Sequence, residues 1–175
     1  MRKFVLIASG IILLPIAAVV FLGYAYFEAS PRDLGQATRV EVYKENRELV
    51  LLDGSKELAR YSIALGGDPI GHKVKEGDSR TPEGSYVLDW RNNKSSFYRS
   101  IHISYPNAKD IENAKKLGVS AGGDIMIHGQ PNGYGMLAPF TQLKDWTDGC
   151  IAVSDLEMEE IWRAVPNGTP IEIKP

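Results

Sequence analysis

The sequence predicts a mainly β fold with a few helices, of the α+β class, for residues 39–175. Val40 and Val42 alternate with charged neighbours, residues 49–52 form a continuous apolar run, and an Asp-Gly turn follows that run. Alternation and short apolar runs bounded by turn residues are typical of strands. Two later stretches instead have helical spacing and capping residues. We therefore expect strands to dominate, with helices placed between them.

Outside residues 125–153, six strands are predicted in chain order. The first begins at Arg39, the second covers residues 49–52 and the third covers residues 58–65, which Gly66 and Gly67 end. These three form a predicted antiparallel meander with one buried face, to which Tyr61, Ile63 and Leu65 belong. The remaining three predicted strands cover residues 85–90, 98–105 and 169–173.

Two stretches predict helices. The first starts at the capping residue Asn107 and stops before Gly118. Its predicted buried stripe consists of Ala108, Ile111 and Ala114. The second follows the cysteine strand, and Ser154 with Glu157 forms its capping box. The spacing i, i+3, i+4, i+7 gives this helix an apolar face of Met158, Ile161, Trp162 and Val165.

A long polar loop covers residues 71–84. It has no apolar periodicity, and ordered loops of that length are uncommon unless they bind something. We expect this loop to border the functional site.

The first 27 residues have the character of a membrane anchor. Residues 4–27 carry no charge, and 24 residues exceed the roughly 20 that a helix needs to cross a bilayer core. Arg2 and Lys3 precede the run, so the positive-inside rule places the N-terminus in the cytoplasm and the rest of the chain outside. Tyr24, Tyr26 and Phe27 at the end of the run favour an uncleaved anchor. A short tether, residues 28–38, would join it to the domain.

The charge balance excludes nucleic acid as a partner. Removing Arg2 and Lys3 leaves 18 basic and 22 acidic side chains, a balance of −4. A surface of that sign lacks the basic patch that phosphate backbones require.

The candidate catalytic groups lie in residues 125–153. His128 ends a short apolar strand, and Cys150, the single cysteine, begins another. An imidazole that removes the proton of a thiol is the minimum equipment for nucleophilic acyl transfer, so Cys150 is the predicted nucleophile and His128 its base. The alternative is that Cys150 is a small buried apolar residue, as many free cysteines are. Gly149 favours the catalytic interpretation, because the backbone amides of Gly149 and Cys150 are natural donors to an oxyanion.

Other candidates have weaker support. His72 lies on the polar loop, where it is either solvated or facing substrate. Trp146, close to Cys150, is the tryptophan best placed to line a groove. His102, on the polar face of a strand, is more typical of a satisfied partner than of a catalyst. The histidines and the cysteine do not have the close spacing of zinc sites, so neither a metal nor a cofactor is expected.

Three motifs in order resemble the L,D-transpeptidase catalytic domain (YkuD type). They are Thr-Pro-Glu-Gly-Ser-Tyr at residues 81–86, the strand that ends in His128-Gly129, and Thr147-Asp148-Gly149-Cys150-Ile151 before a capped helix. The resemblance covers nearly all of residues 39–175. Gly-His-Lys at residues 71–73 and the segment 122–129 are similar to a small membrane-anchored branch, close to an enzyme that detaches lipoprotein from peptidoglycan.

The resemblance implies a β-sandwich of the L,D-transpeptidase type in a bacterial envelope, on the periplasmic side of the inner membrane. It implies peptidoglycan stem peptides of the diaminopimelate type as substrate, with envelope lipoprotein as a further possible partner. The nucleophile would be Cys150 and the base His128, with Gly149 beside them. Predicted substrate-binding residues are Asp148, Gly129, Thr147, His72 and Trp146.

Two positions depart from the family pattern. Family members usually carry His before the Gly-Cys pair and Arg two residues after the cysteine, where this chain has Asp148 and Ala152. An anion beside the thiol raises its pKa. We hypothesise that Asp148 either orients His128 or receives the ammonium of a diaminopimelate side chain. Arg99 and Arg80 are the candidates for binding a substrate carboxylate.

Three function classes follow. The first is acyl transfer between stem peptides, in which the thiolate attacks the diaminopimelate carbonyl and an amine resolves the acyl-enzyme. The second is a hydrolase with the same site, either an L,D-carboxypeptidase or an amidase that detaches protein from peptidoglycan. The third is an inactive wall-binding module.

Overall fold

The computed structural model describes residues 30–175. The predicted anchor, residues 1–27, lies outside the described residues, as do the first two residues of the predicted tether. Among the helices of residues 30–175, none has the length and apolar character needed to cross a membrane.

Strands form most of the regular structure, as predicted. The strands are β1 Arg39–Tyr43, β2 Glu48–Asp53, β3 Lys56–Ser62, β4 Gly84–Asn92, β5 Ser100–Ile103, β6 Met126–His128, β7 Ile151–Ala152 and β8 Thr169–Lys174. The helices are α1 Ala108–Lys116, a 3₁₀ turn Gly135–Leu137, α2 Ala138–Thr141 and α3 Asp155–Ala164. The mainly β class, with helices after the fifth strand and after the cysteine, is confirmed.

The strands form one sheet in the order β3-β2-β1-β8-β4-β5-β6-β7. The predicted meander is confirmed, since β1 with β2 and β2 with β3 pair antiparallel, whereas β1 with β8 and β6 with β7 pair parallel. The chain just beyond β3 meets the opposite outer strand: Ala64 and Ala152 exchange backbone hydrogen bonds of 2.9 and 2.8 Å. The sheet therefore curls into a half-barrel and brings the chain after β3 beside the cysteine.

The third strand ends earlier than predicted. It stops at Ser62 because the Ile63 amide donates to Arg47 and Ala64 turns to pair with β7. Ile63 and Leu65 nevertheless stay buried, as the apolar pattern predicts.

The capping residues of both helices are confirmed. Asn107 caps α1, and Ser154 with Glu157 forms a capping box on α3. The predicted α3 face is confirmed: Met158, Ile161 and Val165 are fully buried, and Trp162 is partly buried against the core.

The predicted α1 stripe is wrong at Ala108 and at Ile111, which are both exposed, Ile111 to 54%; only Ala114 is buried. Helix α1 attaches instead through the buried Asp110, whose carboxylate accepts a 3.0 Å hydrogen bond from the Tyr86 hydroxyl.

The segment predicted as a tether packs on the domain from Arg32 onward. The Arg32 guanidinium donates to both oxygens of the buried Glu160 carboxylate at 2.9 and 2.7 Å. Ala37 is buried, and its amide donates to the carbonyl of Ala164. The folded unit therefore begins earlier than residue 39.

Candidate active site

Parallel pairing of β6 and β7 places the thiol and the imidazole on the same face of the sheet. Ile127 lies opposite Ile151, and His128 lies opposite Ala152. Side chains alternate along a strand, so His128 and Cys150, two residues before Ala152, point to the same side. Strand spacing and rise put their Cα atoms about 8 Å apart, within reach of an imidazole and a thiol.

A threonine fixes the loop that carries the cysteine. The buried Thr147 hydroxyl accepts a 3.1 Å hydrogen bond from the Gly149 amide and donates a 2.7 Å bond to the Cys150 carbonyl. Gly149 has a φ of +124°, and a Cβ there would lie 2.5 Å from the backbone oxygen of Arg80. Glycine is therefore required at this position for both conformation and space.

The hydrogen bond from the Gly149 amide to the Thr147 hydroxyl changes which backbone amide is expected to donate to an oxyanion. Because the Gly149 amide already donates to Thr147, it is less available to a substrate oxygen. The Cys150 amide has no acceptor among residues 30–175. The sequence predicts that the amides of Gly149 and Cys150 both donate to an oxyanion, whereas the structure favours the Cys150 amide alone.

The Cys150 sulfur lies beside β6. It accepts a 3.4 Å hydrogen bond from the Met126 amide, and the thiol donates to the Asp124 carbonyl at 3.6 Å. Burial raises the pKa of the Cys150 thiol, the Met126 amide opposes this, and the negative charge of Asp148 raises the pKa further. The resting form is therefore the neutral thiol, and a base must remove its proton.

His128 is oriented to act as that base. Its Nδ1 atom lies 2.7 Å from the Gly129 carbonyl oxygen, so Nδ1 carries the hydrogen and Nε2 is the free acceptor. Phe97 and Trp146 contact the ring, with centroids 4.6 and 5.7 Å away. Burial lowers the pKa of His128, although the Gly129 hydrogen bond opposes this. The imidazole is thus neutral at neutral pH, the form that accepts a proton.

Gly129 supports His128 rather than a substrate. Its carbonyl orients the imidazole, and its amide donates to the carbonyl of Phe97 at 3.1 Å. A Cβ at Gly129 would lie 2.6 Å from a carboxylate oxygen of Asp155. This position therefore accepts only glycine without rearrangement.

Sequence reasoning missed Gln130 and Asp155, which support the chain around the His128-Gly129 pair. The fully buried Gln130 donates its side-chain amide to the Val153 carbonyl at 2.8 Å, which links the ends of β6 and β7. The Gln130 backbone amide donates to Asp155 at 2.8 Å. Gln130 follows the His-Gly pair directly, but a polar residue in a stretch rich in loop signals carries no evidence of burial.

Both candidate catalytic side chains line one pocket of about 350 Å³. Its walls include Phe97, Asp124, His128, Trp146, Asp148 and Cys150. Trp146 and Thr147 lie there as the sequence suggested, and Asp148 is exposed at the pocket. The Trp146 ring nitrogen has no hydrogen-bond partner among residues 30–175. No lysine or arginine of the described chain lines this pocket.

Several predicted residues lie elsewhere. His72 accepts from the Glu83 amide at 3.0 Å and contacts Asp110 at 3.1 Å, outside the cysteine pocket. It therefore ties the long loop to α1 and is not brought to the thiol.

The two arginines considered for a substrate carboxylate also point away. Arg80 pairs with Asp68 at 3.0 Å, and Arg99 pairs with Glu159 at 2.7 Å. Asp148 does not orient His128, because Gly129 does so, which leaves the ammonium of a substrate as its hypothetical partner. Within residues 30–175, no cluster of three His, Cys, Asp or Glu side chains could hold a metal ion.

The half-barrel and this pocket define a class of site: a thiol nucleophile, an oriented neutral imidazole and a free backbone amide at one cavity. Such a set serves acyl transfer through a thioester. The model of the YkuD family, the L,D-transpeptidase catalytic domain, matches residues 37–173. The chain belongs to this family, whose members are cysteine enzymes that act on peptidoglycan.

Relatives agree with this assignment. The provisionally named L,D-transpeptidase YafK of Escherichia coli (strain K12) is 31% identical over 102 residues, which cover 55% of this chain and 39% of YafK. The helical cell shape determining protein Pgp2 from Campylobacter jejuni has a TM-score of 0.60 at 25% identity, over 89% of this chain and 55% of Pgp2. An L,D-transpeptidase from Mycobacterium smegmatis shares the fold, with a TM-score of 0.54 at 11% identity. The match covers 79% of this chain and 59% of the Mycobacterium smegmatis chain. The chain thus spans about two fifths of YafK and about half of Pgp2.

Proposed function

We propose that this protein is a cysteine-dependent acyl-transferring enzyme that acts on peptidoglycan stem peptides of the diaminopimelate type. The observation that carries the proposal is that Cys150 and His128 line the same pocket, with the His128 imidazole fixed by Gly129. Family membership supports peptidoglycan as the substrate class.

The proposed reaction has two steps. His128 Nε2 takes the proton of the Cys150 thiol, and the thiolate attacks the carbonyl on the L-centre of diaminopimelate. The Cys150 amide donates to the oxyanion that forms. The C–N bond to the following D-residue breaks, and His128 returns the proton to the leaving amine, which leaves a thioester. An amine from a second stem then attacks the thioester, and the thiol is released.

A second candidate is hydrolysis of an internal amide, such as one that joins a protein to peptidoglycan. The charges of the pocket favour it. Asp124 and Asp148 line the pocket, and Arg80 and Arg99 are engaged elsewhere. A donor that ends in a D-residue places a free carboxylate near the scissile bond, where these anions repel it. An internal amide places no terminal carboxylate there.

The location is proposed together with the function. The uncharged run of residues 4–27 supports an inner-membrane anchor that keeps the enzyme at the periplasmic face, where peptidoglycan lies. Pgp2 is a cell shape determining protein, which supports a role for this chain in cell wall organisation.

The test is incubation of the purified full chain, in mild detergent, with purified tetrapeptide and pentapeptide stems and with stems that carry a peptide through an internal amide. Cross-linked dimers indicate transfer, and shortened or released stems indicate hydrolysis. Both products should disappear in Cys150→Ala. Unchanged substrates with the wild-type chain would contradict the proposal and leave a binding module.

A further inference from the structure

An apolar helix face points to solvent in the segment that joins β6 to β7. The 3₁₀ turn Gly135–Leu137 runs directly into α2, Ala138–Thr141, so the backbone is helical over residues 135–141. Five large apolar side chains in and beside this helix are between 46% and 77% exposed, and together they are called the apolar face: Tyr134, Met136, Leu137, Phe140 and Leu143. Large contiguous apolar patches on a protein surface mark interaction sites.

The spacing puts these side chains on one side of the helix. Met136, Phe140 and Leu143 follow the i, i+4, i+7 pattern, and Leu137 lies three residues before Phe140. Residues three and four apart are neighbours on a helix surface, so the exposed side chains form one continuous stripe.

The opposite side of the helix packs on the protein. Ala138 is buried, and the Thr141 hydroxyl donates to the side-chain oxygen of Gln130 at 2.6 Å. An amphipathic helix of a soluble protein normally turns its apolar side to the core. Here the apolar side is outward, which is the arrangement of helices that lie in the interface of a bilayer.

The charge pattern fits a lipid interface better than a protein partner. Residues 129–143 contain no charged side chain, and the first charge after them is the exposed Lys144. Protein partners are selected largely by complementary charges, which this face lacks. A lysine at the edge of apolar and aromatic side chains suits a membrane, because its long side chain reaches the phosphates of the headgroups.

The chain outside the described residues ends close to this face. Only residues 28–31 separate the uncharged run 4–27 from Arg32, which binds Glu160 in α3. Five Cα–Cα steps span at most about 18 Å. If residues 4–27 are the proposed anchor, Arg32 therefore stays within about that distance of the bilayer surface.

The helix that carries the apolar face leans on the start of α3. The Gln130 amide donates to the Asp155 carboxylate at 2.8 Å, and Gly135 lies so close to that carboxylate that a Cβ has no room. Asp155 and Glu160 are about 8 Å apart along the axis of α3. The apolar face is thus within reach of a bilayer that the tether holds near Glu160.

We propose that the apolar face is a docking surface for the lipid bilayer, which inserts into the periplasmic interface of the membrane that holds the anchor. Its aromatic and aliphatic side chains enter the boundary between headgroups and acyl chains, and Lys144 contacts the headgroups. Because the helix joins the strands beside His128 and Cys150, docking fixes the orientation of the catalytic pocket relative to the membrane. The inference rests on the proposed inner-membrane location and not on the catalytic chemistry.

The test places a fluorescent probe on the apolar face of the full chain in vesicles. Cys150 is the single cysteine, so the Cys150→Ala chain accepts one new cysteine for labelling with the environment-sensitive dye NBD. The vesicles contain phosphatidylethanolamine and phosphatidylglycerol, with or without lipids that carry a quenching doxyl group high on the acyl chain. An interfacial helix inserts by about 5–10 Å, so probes at Leu137→Cys, Phe140→Cys and Leu143→Cys should emit at shorter wavelength and lose about half or more of their fluorescence to the doxyl lipid.

The control probe is Lys109→Cys, which is exposed on α1. Helix α1 contacts β4 at Tyr86, whereas Trp162 of α3 lies against Arg91 near the other end of that strand, with its ring centroid 4.9 Å from the guanidinium. Five residues of a strand span about 17 Å. This probe should therefore stay unquenched in the same vesicles.

A second comparison separates insertion from simple proximity to the membrane. Phe140→Asp together with Leu143→Asp places two charges on the apolar face, and burying them in lipid is costly. The probe at Leu137→Cys should then lose most of its quenching, while flotation with the vesicles shows that the anchor still holds the chain.

Four results would overturn the proposal. They are a full chain that does not float with the vesicles, equal quenching or none at residues 109 and 140, quenching at residue 137 that persists in the double aspartate variant, and a shift to shorter wavelength at residue 140 without quenching. The last result would place a second copy of the chain on the face. The labelled chain lacks the thiol, so failure here is distinguishable from failure of the proposed reaction, which the stem-peptide assay decides.

Discussion

The Nδ1 atom of His128 lies 2.7 Å from the carbonyl oxygen of Gly129, the next residue in the chain. This contact fixes the tautomer, because a carbonyl oxygen accepts and Nδ1 must therefore carry the hydrogen. The lone pair on Nε2 is then free to take the proton of Cys150. The base is thus oriented by its own backbone neighbour and needs no third side chain.

Removal of the imidazole should abolish turnover with little effect on the fold. We expect His128→Asn to lower the acyl-transfer or hydrolysis rate by about 10² to 10⁴, the usual contribution of general-base catalysis. Turnover of stem peptides by the purified full chain measures this. The matched control is His72→Asn, which alters the contact between the long loop and α1 but leaves the thiol and its base in place. Equal losses in both variants would argue against His128 as the base.

The pH dependence of turnover should follow the buried imidazole. Burial lowers the pKa of His128 below its ordinary value of 6.5, so the free base persists into mildly acidic solution. We therefore expect kcat/KM to stay constant as pH falls from 8 to 6.5 and to decline only at lower pH. A decline that already begins above pH 7 would contradict this assignment of the acidic limb.

The same group should make the fold sensitive to acid. A histidine whose folded pKa is depressed contributes stability that is present above its unfolded value of 6.5 and is lost as pH falls below it, because the unfolded chain binds the proton more readily. We expect the free energy of unfolding to fall between pH 6.5 and pH 5, and to fall less in His128→Asn. Denaturant unfolding at several pH values measures the difference. Parallel curves for the two proteins would contradict the burial argument.

For the stability of the cysteine loop, the hydroxyl of Thr147 should matter more than the volume of its side chain. Thr147→Val keeps the shape but leaves the Gly149 amide and the Cys150 carbonyl without their partner, at a cost of about 1–3 kcal/mol. Thr147→Ser keeps the hydroxyl and should be much closer to wild type. Denaturant unfolding together with the Cys150 alkylation rate tests both. If the two variants behave alike, the hydroxyl does not hold the cysteine loop.

Gly149 should not tolerate a methyl group. Gly149→Ala meets the Arg80 carbonyl oxygen at 2.5 Å and forces a side chain into a φ of +124°. We expect a loss of more than about 1 kcal/mol in unfolding free energy and a slower alkylation of Cys150. Gly133→Ala is the control, because its φ is +86° but no atom lies within 4 Å of the new Cβ. A smaller loss at residue 149 than at residue 133 would be inconsistent with the packing.

Replacing Asp148 should make the Cys150 thiol more reactive but weaken the binding of amine-bearing substrates. Its charge raises the pKa of the thiol, so Asp148→Asn should speed alkylation of Cys150 at neutral pH. If Asp148 binds the ammonium of diaminopimelate, the same variant should raise KM for amine-bearing stems by several-fold and leave KM for N-acetylated stems unchanged. Wild-type kinetics with amine-bearing stems would remove this role.

Local patterns in the sequence predicted the strands and the two main helices well. Capping residues such as Asn107 and Ser154 act through neighbours three residues away, so they can be recognised without a fold. The alternation at Tyr61, Ile63 and Leu65 likewise predicts burial even where the strand itself has ended. Ile111 was misassigned because α1 attaches to Tyr86 through the buried carboxylate of Asp110. Hydrophobic periodicity does not predict the burial of a charged residue.

The candidate site was predictable in part for the same reason. The imidazole and the thiol were recognisable from their chemistry, and Thr147, Trp146 and Asp148 lie next to the thiol in the chain. The role of Gly129 as an acceptor and that of Gln130 depend on which segments meet after the sheet curls. His72 was a candidate for substrate binding because it lies on the long polar loop, residues 71–84, but its side chain contacts Asp110 instead.

The most direct test of the account is the intact mass of the full chain after brief incubation with a diaminopimelate-containing stem peptide at neutral pH. We predict a covalent adduct with the mass of the acyl fragment, located on Cys150 by peptide mapping, cleaved by hydroxylamine and absent in Cys150→Ala. Turnover of the stem by the Cys150→Ala protein, or an adduct on another residue, would contradict the assignment of this thiol as the nucleophile.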